Sequence, residues 1–229
     1  MARSNPVVSG FVIAGGQSIR MGRDKALLTV NGAPLIAQAL DRLHGLGISA
    51  RICGLRPDLG RFAEVIPDNF SRCGPLAGIE AALAVSGTEL NLFLPVDLPL
   101  LPAAFVGWLA ARAEASHAVA TIPVLADRVE PLCAVYSRRL LEGIRRSLAA
   151  GDRKVMKGVR AAAASLGEAI DLFDVESVAA ALRAGEWPAR PPVREWFRNL
   201  NTPADYERLT PLAARESAGT GAKGGHPIS

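Results

Sequence analysis

Two adjacent glycines, two cations and two carboxylates at loop positions are the residues in this chain with chemistry to offer. Residues 13–25 read Ile13-Ala14-Gly15-Gly16-Gln17-Ser18-Ile19-Arg20-Met21-Gly22-Arg23-Asp24-Lys25. Glycine has no Cβ, so the backbone N–H groups from Ile13 and Ala14 through Gly15 and Gly16 can come close to a phosphate. Arg20 can meet that phosphate with a planar fork and Lys25 with a mobile point charge. The string reads as an anion cradle for a nucleoside triphosphate. Gly15-Gly16 alone would equally fit a plain turn with two solvated cations beside it. The full string lacks the Gly-Lys-Ser/Thr ending of a P-loop and the glycine spacing of the dinucleotide fingerprint.

A second stretch, Leu92-Phe93-Leu94-Pro95-Val96-Asp97-Leu98-Pro99, is an apolar run ending in a carboxylate and a proline turn. A carboxylate at the carboxyl end of a strand in an α/β sheet faces the ligand crevice. Magnesium takes hard oxygen ligands, one or two carboxylates plus phosphate oxygens, so Asp97 suits a metal that bridges protein and triphosphate. Capping of the next turn is the other local reading. A third cluster is Ile66-Pro67-Asp68-Asn69, followed by Gly74-Pro75-Leu76-Ala77-Gly78. Pro75 suits the first position of a helix whose free N–H groups face the entering loop.

These loops need strands and helices to hold them. Apolar runs predict strands over Val7–Ile13, Ser49–Gly54, Leu90–Val96, His117–Pro123 and Leu132–Tyr136. Amphipathic or alanine-rich segments predict helices over Pro34–Leu46, Pro75–Val85, Ala103–Ala115, Arg138–Ala149, Val155–Ala163 and Pro203–Leu209. Strand–helix alternation implies a mostly parallel sheet with helices on both faces. The Leu132–Tyr136 run follows its predecessor so closely that it should enter antiparallel or at an edge. Pro188, Pro191 and Pro192 exclude helix and suggest a short connector. Residues 1–210 read as a single domain, and residues 211–229 as a glycine-rich, disordered tail.

Composition narrows the partners. Of 229 residues, 26 are Lys or Arg and 22 are Asp or Glu, for a net charge of +4, with 5% aromatics. The basic residues are scattered and not interleaved with aromatics, which favours polyanionic small molecules over nucleic acid. Cys53, Cys73 and Cys133 match neither zinc spacing nor a disulfide framework. No apolar run approaches the roughly 20 residues of a spanning helix. The expected compartment is the cytoplasm, with no membrane partner.

The Ala14-Gly15-Gly16 opening followed by Arg20-Met21-Gly22-Arg23-Asp24-Lys25 resembles the signature loop of the nucleotidyltransferases, and most of all the molybdenum cofactor guanylyltransferase (MobA) family. The likeness extends from Phe11 to Leu209. It implies a Rossmann-like three-layer α/β/α fold with a twisted central sheet, and transfer of GMP from GTP to the phosphate of molybdenum-bearing molybdopterin, with loss of pyrophosphate. It implies that Asp97, in an Asp-x-Pro motif, binds magnesium, and that Asp68 contacts the nucleotide. Arg20, Lys25 and Asp97 become the catalytic set. The Gly151-Asp152-Arg153-Lys154 turn looks like the family's basic turn, where Arg153 and Lys154 either meet the acceptor phosphate or stay solvated. Residues 197–205 resemble its Asn-x-Asn-Thr-Pro motif, so Asn199 and Asn201 either reach the crevice or satisfy their own turn. Molybdoenzymes or their chaperones would receive the product.

One departure stands out. The family usually carries Asn at the end of the second strand, where this chain has Cys53, and the following Gly54 is expected to loosen the turn. Flanking Arg51 and Arg56 could lower the thiol's pKa, although a packed, inert thiol is the simpler expectation. The same residues leave room for a CTP-dependent molybdopterin cytidylyltransferase, for a sugar-phosphate nucleotidyltransferase, or for a non-catalytic GTP-binding accessory or sensor protein.

Overall fold

Alternating side-chain direction along each strand decides the layers of this molecule. The structure, a computed structural model, describes residues 8–15, 24–183, 185–200 and 205. Strand β1 (Val8–Ile13) is followed by a short hairpin, β2 (Thr29–Val30) with β3 (Ala33–Pro34), then helix α1 (Leu35–His44) and β4 (Ala50–Cys53). Next come β5 (Val65–Ile66), α2 (Pro75–Val85), β6 (Leu90–Pro95) and α3 (Ala103–Ser116). The second half runs β7 (Ala120–Leu125), β8 (Arg128–Val129), β9 (Ala134–Ser137), α4 (Leu141–Ala149), α5 (Val155–Leu166), β10 (Ile170–Asp174) and α6 (Val175–Ala181).

The sheet order is β10-β7-β9-β6-β1-β4-β5, with β8 paired to β7. β1 pairs parallel with β4 and β6, β4 with β5, and β7 with β10, while β9 runs antiparallel between β6 and β7. The period of two sends Val8 and Val12 to one face, with α1 and α3, and Phe11 and Ile13 to the other, with α2, α4 and α5. β6 repeats the split, with Leu92 and Leu94 on the first face and Phe93 on the second, stacked on Phe11 at 5.3 Å. Each face thus has its own apolar core, giving the expected three-layer α/β/α arrangement.

Register sets the site. Ile13 is level with Cys53 and with Pro95, and Cys53 is level with Ile66. Backbone bonds stitch these ends together: Val96 N–H to Ile13 O at 3.1 Å, Ala14 N–H to Cys53 O at 3.1 Å, and Gly54 N–H to Ile66 O at 3.1 Å. Four loops therefore leave the sheet from one line, at the point where the chain reverses direction across it, and that is where open α/β sheets bind ligands.

Several sequence expectations are corrected. The fifth predicted strand is antiparallel but interior, and β10 takes the edge; β9 fits inside because it returns from the β8 hairpin between two parallel neighbours. His117 does not begin a strand: it caps α3 in the left-handed region at φ 54°, and β7 starts at Ala120. β10 and α6 were not anticipated, because Ile170–Asp174 neither alternates strictly nor forms a continuous apolar run, so it carries no clear strand signal. The proline-rich connector is a packed strap. Trp187 and the fully buried Trp196 lie edge-on at 5.3 Å, and both pack against Phe105 of α3. The predicted Pro203–Leu209 helix lies outside the described residues except for Asp205, as do Val7 and the whole of residues 211–229.

Candidate functional site

The first wall is the glycine turn after β1. Gly15 is exposed, while Ile13 and Ala14 are buried beneath it. Gly16, Arg20 and Asn201 lie outside the described residues. Gly54 does the opposite of loosening its turn. It adopts φ +133°, and a Cβ there would lie 3.0 Å from the Gly15 nitrogen and 3.1 Å from its Cα. Only glycine lets the β4 loop lie this close against the β1 loop.

The far end of the signature loop is fixed by a clasp that the sequence reading missed. Asp24 Oδ1 accepts from Ala26 N–H at 3.0 Å and so caps the short 3-10 turn Lys25–Leu27. Arg56, on the loop after β4, donates to both Asp24 oxygens, with Nη1 at 3.2 Å from Oδ1, and its Nε bonds Asp58 at 3.0 Å. Asp58 and Asp24 hold the guanidinium above its ordinary pKa. A partner 32 residues away leaves no local sequence signal. Held this way, the turn projects Lys25 toward the end of β6, where Nζ lies 3.6 Å from Asp97 Oδ2. Both side chains keep about a fifth of their surface exposed, at 22% and 19%. Burial raises the Asp97 carboxyl and Lys25 opposes that shift.

Asp97 is also gripped from the C-terminal strap. Leu200 N–H donates to the Asp97 carbonyl at 3.2 Å, and Arg128 Nη2 reaches the Phe197 carbonyl at 3.5 Å. This brings Asn199 to within one residue of a backbone contact with Asp97. Glu130, the second residue that the reading missed, bonds Arg128 Nε at 2.6 Å. Burial raises its carboxyl, and the Asp97 charge adds to the rise.

The third wall carries Asp68, half-buried on the loop after β5. A Cβ on Gly78 would lie 3.5 Å from both Asp68 Oδ1 and Cys53 Cβ, so the carboxylate rests over the first turns of α2, beside Cys53. Its Oδ1 is buried with no hydrogen-bond partner. Burial raises the carboxyl and nearby Glu80 adds to it. A buried acceptor left unmade is costly, which points to a donor arriving with a ligand. Cys53 is buried at 1% exposure, and burial and Asp68 both push its thiol upward. It is a packed thiol, and Arg56 is committed to carboxylates instead. Arg153 and Lys154 are exposed just before α5. A Cβ on Gly158 would lie 2.8 Å from Leu76 Cδ2, which sets the first turns of α5 against the start of α2 and the basic turn on the same side of the sheet as the site.

A glycine at the carboxyl end of β1 and a half-buried carboxylate just past the end of the adjacent parallel strand β6, with a lysine held against that carboxylate, define a nucleotide-handling α/β enzyme built to carry phosphoryl charge. Comparison with known proteins gives the particular family. The MobA-like NTP transferase domain model matches residues 10–166, and the chain belongs to that family of nucleotidyltransferases. A relative from Opitutus terrae named probable molybdenum cofactor guanylyltransferase is 34% identical over 70% of this chain and 82% of its own. The molybdenum cofactor guanylyltransferase of Yersinia pestis is 31% identical over 88% of this chain and 94% of its own. Among solved structures, molybdopterin-guanine dinucleotide biosynthesis protein A from Archaeoglobus fulgidus shares the fold, with a TM-score of 0.72 at 23% identity over 90% of this chain and 99% of its own. The 2-C-methyl-D-erythritol 4-phosphate cytidylyltransferase of Thermus thermophilus also shares it, at TM-score 0.59 and 17% identity over 89% and 98% of the two chains.

Proposed function

We propose that this protein transfers GMP from GTP to the terminal phosphate of molybdenum-bearing molybdopterin, making the guanine dinucleotide cofactor and releasing pyrophosphate. The observation that carries the chemical step is the Lys25–Asp97 apposition, 3.6 Å apart beside the Gly15 turn.

The acceptor phosphate is already an anion and needs no strong general base. One of its oxygens bonds to the α-phosphorus of GTP while the bond from that phosphorus to the β-phosphate bridging oxygen breaks. The protein's task is alignment and neutralisation of charge. Backbone N–H groups of Gly15 and Gly16 hold the triphosphate; that of Ala14 is committed to the Cys53 carbonyl. Lys25 and Arg20 offset the charge that grows on the departing pyrophosphate. Asp68, with its unsatisfied oxygen, accepts a donor from the nucleoside end, and Asn199 and Asn201 would add side-chain contacts to the nucleotide. Among the described residues no group of three or more His, Cys, Asp or Glu side chains could enclose a metal. The single hard oxygen donor at the end of β6, the Asp97 carboxylate, fits magnesium, which takes one or two carboxylates and draws its other ligands from phosphate and water. Asp97 would hold it, and the ion would supply charge neutralisation across the phosphate oxygens.

Residues 1–210 act as one catalytic unit, working in the cytoplasm and passing product to molybdoenzymes or their chaperones. Among the described residues no helix is long and apolar enough to cross a membrane. The test is pyrophosphate release by the purified protein with magnesium and molybdenum-loaded molybdopterin, comparing GTP, CTP, ATP and UTP. Release with GTP alone is expected. Release with CTP instead would move the chain to cytidylyl transfer, and silence with every nucleotide despite GTP binding would make it a sensor.

A further inference from the structure

Helix α2 is apolar almost throughout its buried length, from Leu76 and Ala77 to Ala81, Ala82 and Leu83, yet it carries one acid, Glu80, which is completely buried. Both of its oxygens are used. Oε2 accepts from the Asn69 amide at 3.0 Å, and Oε1 accepts from Arg145 Nε at 2.8 Å. Arg145, on α4, is itself steadied by Glu142 at 2.8 Å, one turn earlier on the same helix. An ionised carboxylate is the form that serves two donors at once. Burying the Glu80 carboxylate while the Arg145 side chain stays 39% exposed is a poor device for stability alone, since an apolar side chain of similar volume at position 80 carries no charge to desolvate. What the pair can do is fix orientation. The residue it grips through Asn69 is the immediate neighbour of Asp68, the acid whose buried Oδ1 has no partner.

We propose that Asn69, Glu80 and Arg145 form a positioning strut that holds the Asp68 carboxylate in its nucleotide-receiving orientation, with α4 as the anchor. This rests on the reading of Asp68 as a GTP contact. Glu80 brings a negative charge close to Asp68, and Asn69 and Arg145 each engage one of its oxygens. α4 is a stiff anchor because it packs tightly on α5: a Cβ on Gly143 would lie 2.4 Å from Ala162 Cβ, so the two helices meet backbone to side chain. The strut therefore ties the Asp68 loop to the helix pair whose connecting turn carries Arg153 and Lys154.

The experiment measures GTP affinity by titration calorimetry, and steady-state KM and kcat, for Asn69→Ala, Arg145→Met, Arg145→Lys and the double variant Glu80→Gln with Arg145→Met. A misplaced binding group lowers affinity more than chemistry, so Asn69→Ala and Arg145→Met should raise Kd and KM for GTP about tenfold with kcat within about twofold. Arg145→Lys should recover much of that loss. The double variant leaves no unpaired buried charge, so it remains folded and readable if Arg145→Met does not. Wild-type Kd and KM in the double variant and in Asn69→Ala would overturn the strut, as would a fall in melting temperature and active fraction with KM unchanged. If the wild-type protein binds GTP but releases no pyrophosphate, the transfer reading fails, while the calorimetric Kd series still decides the strut.

Discussion

The two ends of one sheet treat their polar groups in opposite ways. At the amino end, Asn91 of β6 is fully buried, and its amide donates to the carbonyls of Glu89 at 3.2 Å and Tyr136 at 3.3 Å, while its oxygen accepts from Ser86. Thr88 Oγ1 lies 2.9 Å from both the Ser9 hydroxyl and the Leu90 carbonyl. Each of these polar groups has a partner within the knot. At the carboxyl end, Asp68 has an oxygen with none, and Asp97 is desolvated against a lysine at 3.6 Å, longer than a hydrogen bond. A polar network that is satisfied specifies structure; one left open at a cost is kept for a ligand. The same parallel strands supply both, and direction alone separates them, because the carboxyl end is where loops from adjacent strands diverge.

Asp97→Ala makes the sharpest test of the open end. Turnover should fall about a hundredfold, on the order of 3 kcal/mol for one preorganised electrostatic element, with the melting temperature nearly unchanged. Near-normal turnover would sink the metal-holding role. Asn91→Ala should do the reverse. Removing this fully buried amide from the network should cost about 2 kcal/mol of stability in denaturant unfolding, with kcat/KM of the folded fraction preserved. A strong loss of activity in the folded fraction would mean the two ends are coupled and the contrast is wrong. The smallest effect is expected from Asp68→Asn on the ligand-free protein. The Asp68 carboxyl is raised in the fold by burial and by Glu80, so the unfolded chain gives up this proton first as pH rises. That costs the native state stability from the ordinary aspartate range up to the raised value. The asparagine variant should melt slightly higher at neutral pH, lose less stability across that interval and bind GTP more weakly. An unchanged melting curve across pH would remove the strain assigned to this carboxylate.

The part of the site that was legible in the chain was the part written locally. Gly15, Lys25 and Asp97 announce themselves because each ends an apolar run or sits in a short polar string, and the first five predicted helices, from Pro34–Leu46 to Val155–Ala163, rest on a similar local signal. Glu80 was legible in principle, as the one charge in an apolar helix, but its partners lie 11 and 65 residues away. Arg56 and Glu130 gave no such signal. Arg56 acts on Asp24 across 32 residues, and Glu130 follows a two-residue strand that only pairing with β7 defines. Gly54 was read in the wrong sense, since what constrains it is the backbone of Gly15 and not its own turn.

The sequence by itself determined the alternation of strands and helices, the glycine and lysine of the cradle, the carboxylate after β6 and the family to which these belong. Hydrophobic period and turn chemistry are local properties, and the chain carries them wherever it folds. Tertiary structure alone decided that β9 runs antiparallel inside the sheet, that the proline-rich strap seals the Asp97 loop, that Asp24 is clasped by Arg56, and that Asp68 is left with an oxygen unpaired. Those outcomes depend on register between strands and on which loops meet at their ends, and distances of that kind are set only when the whole core closes.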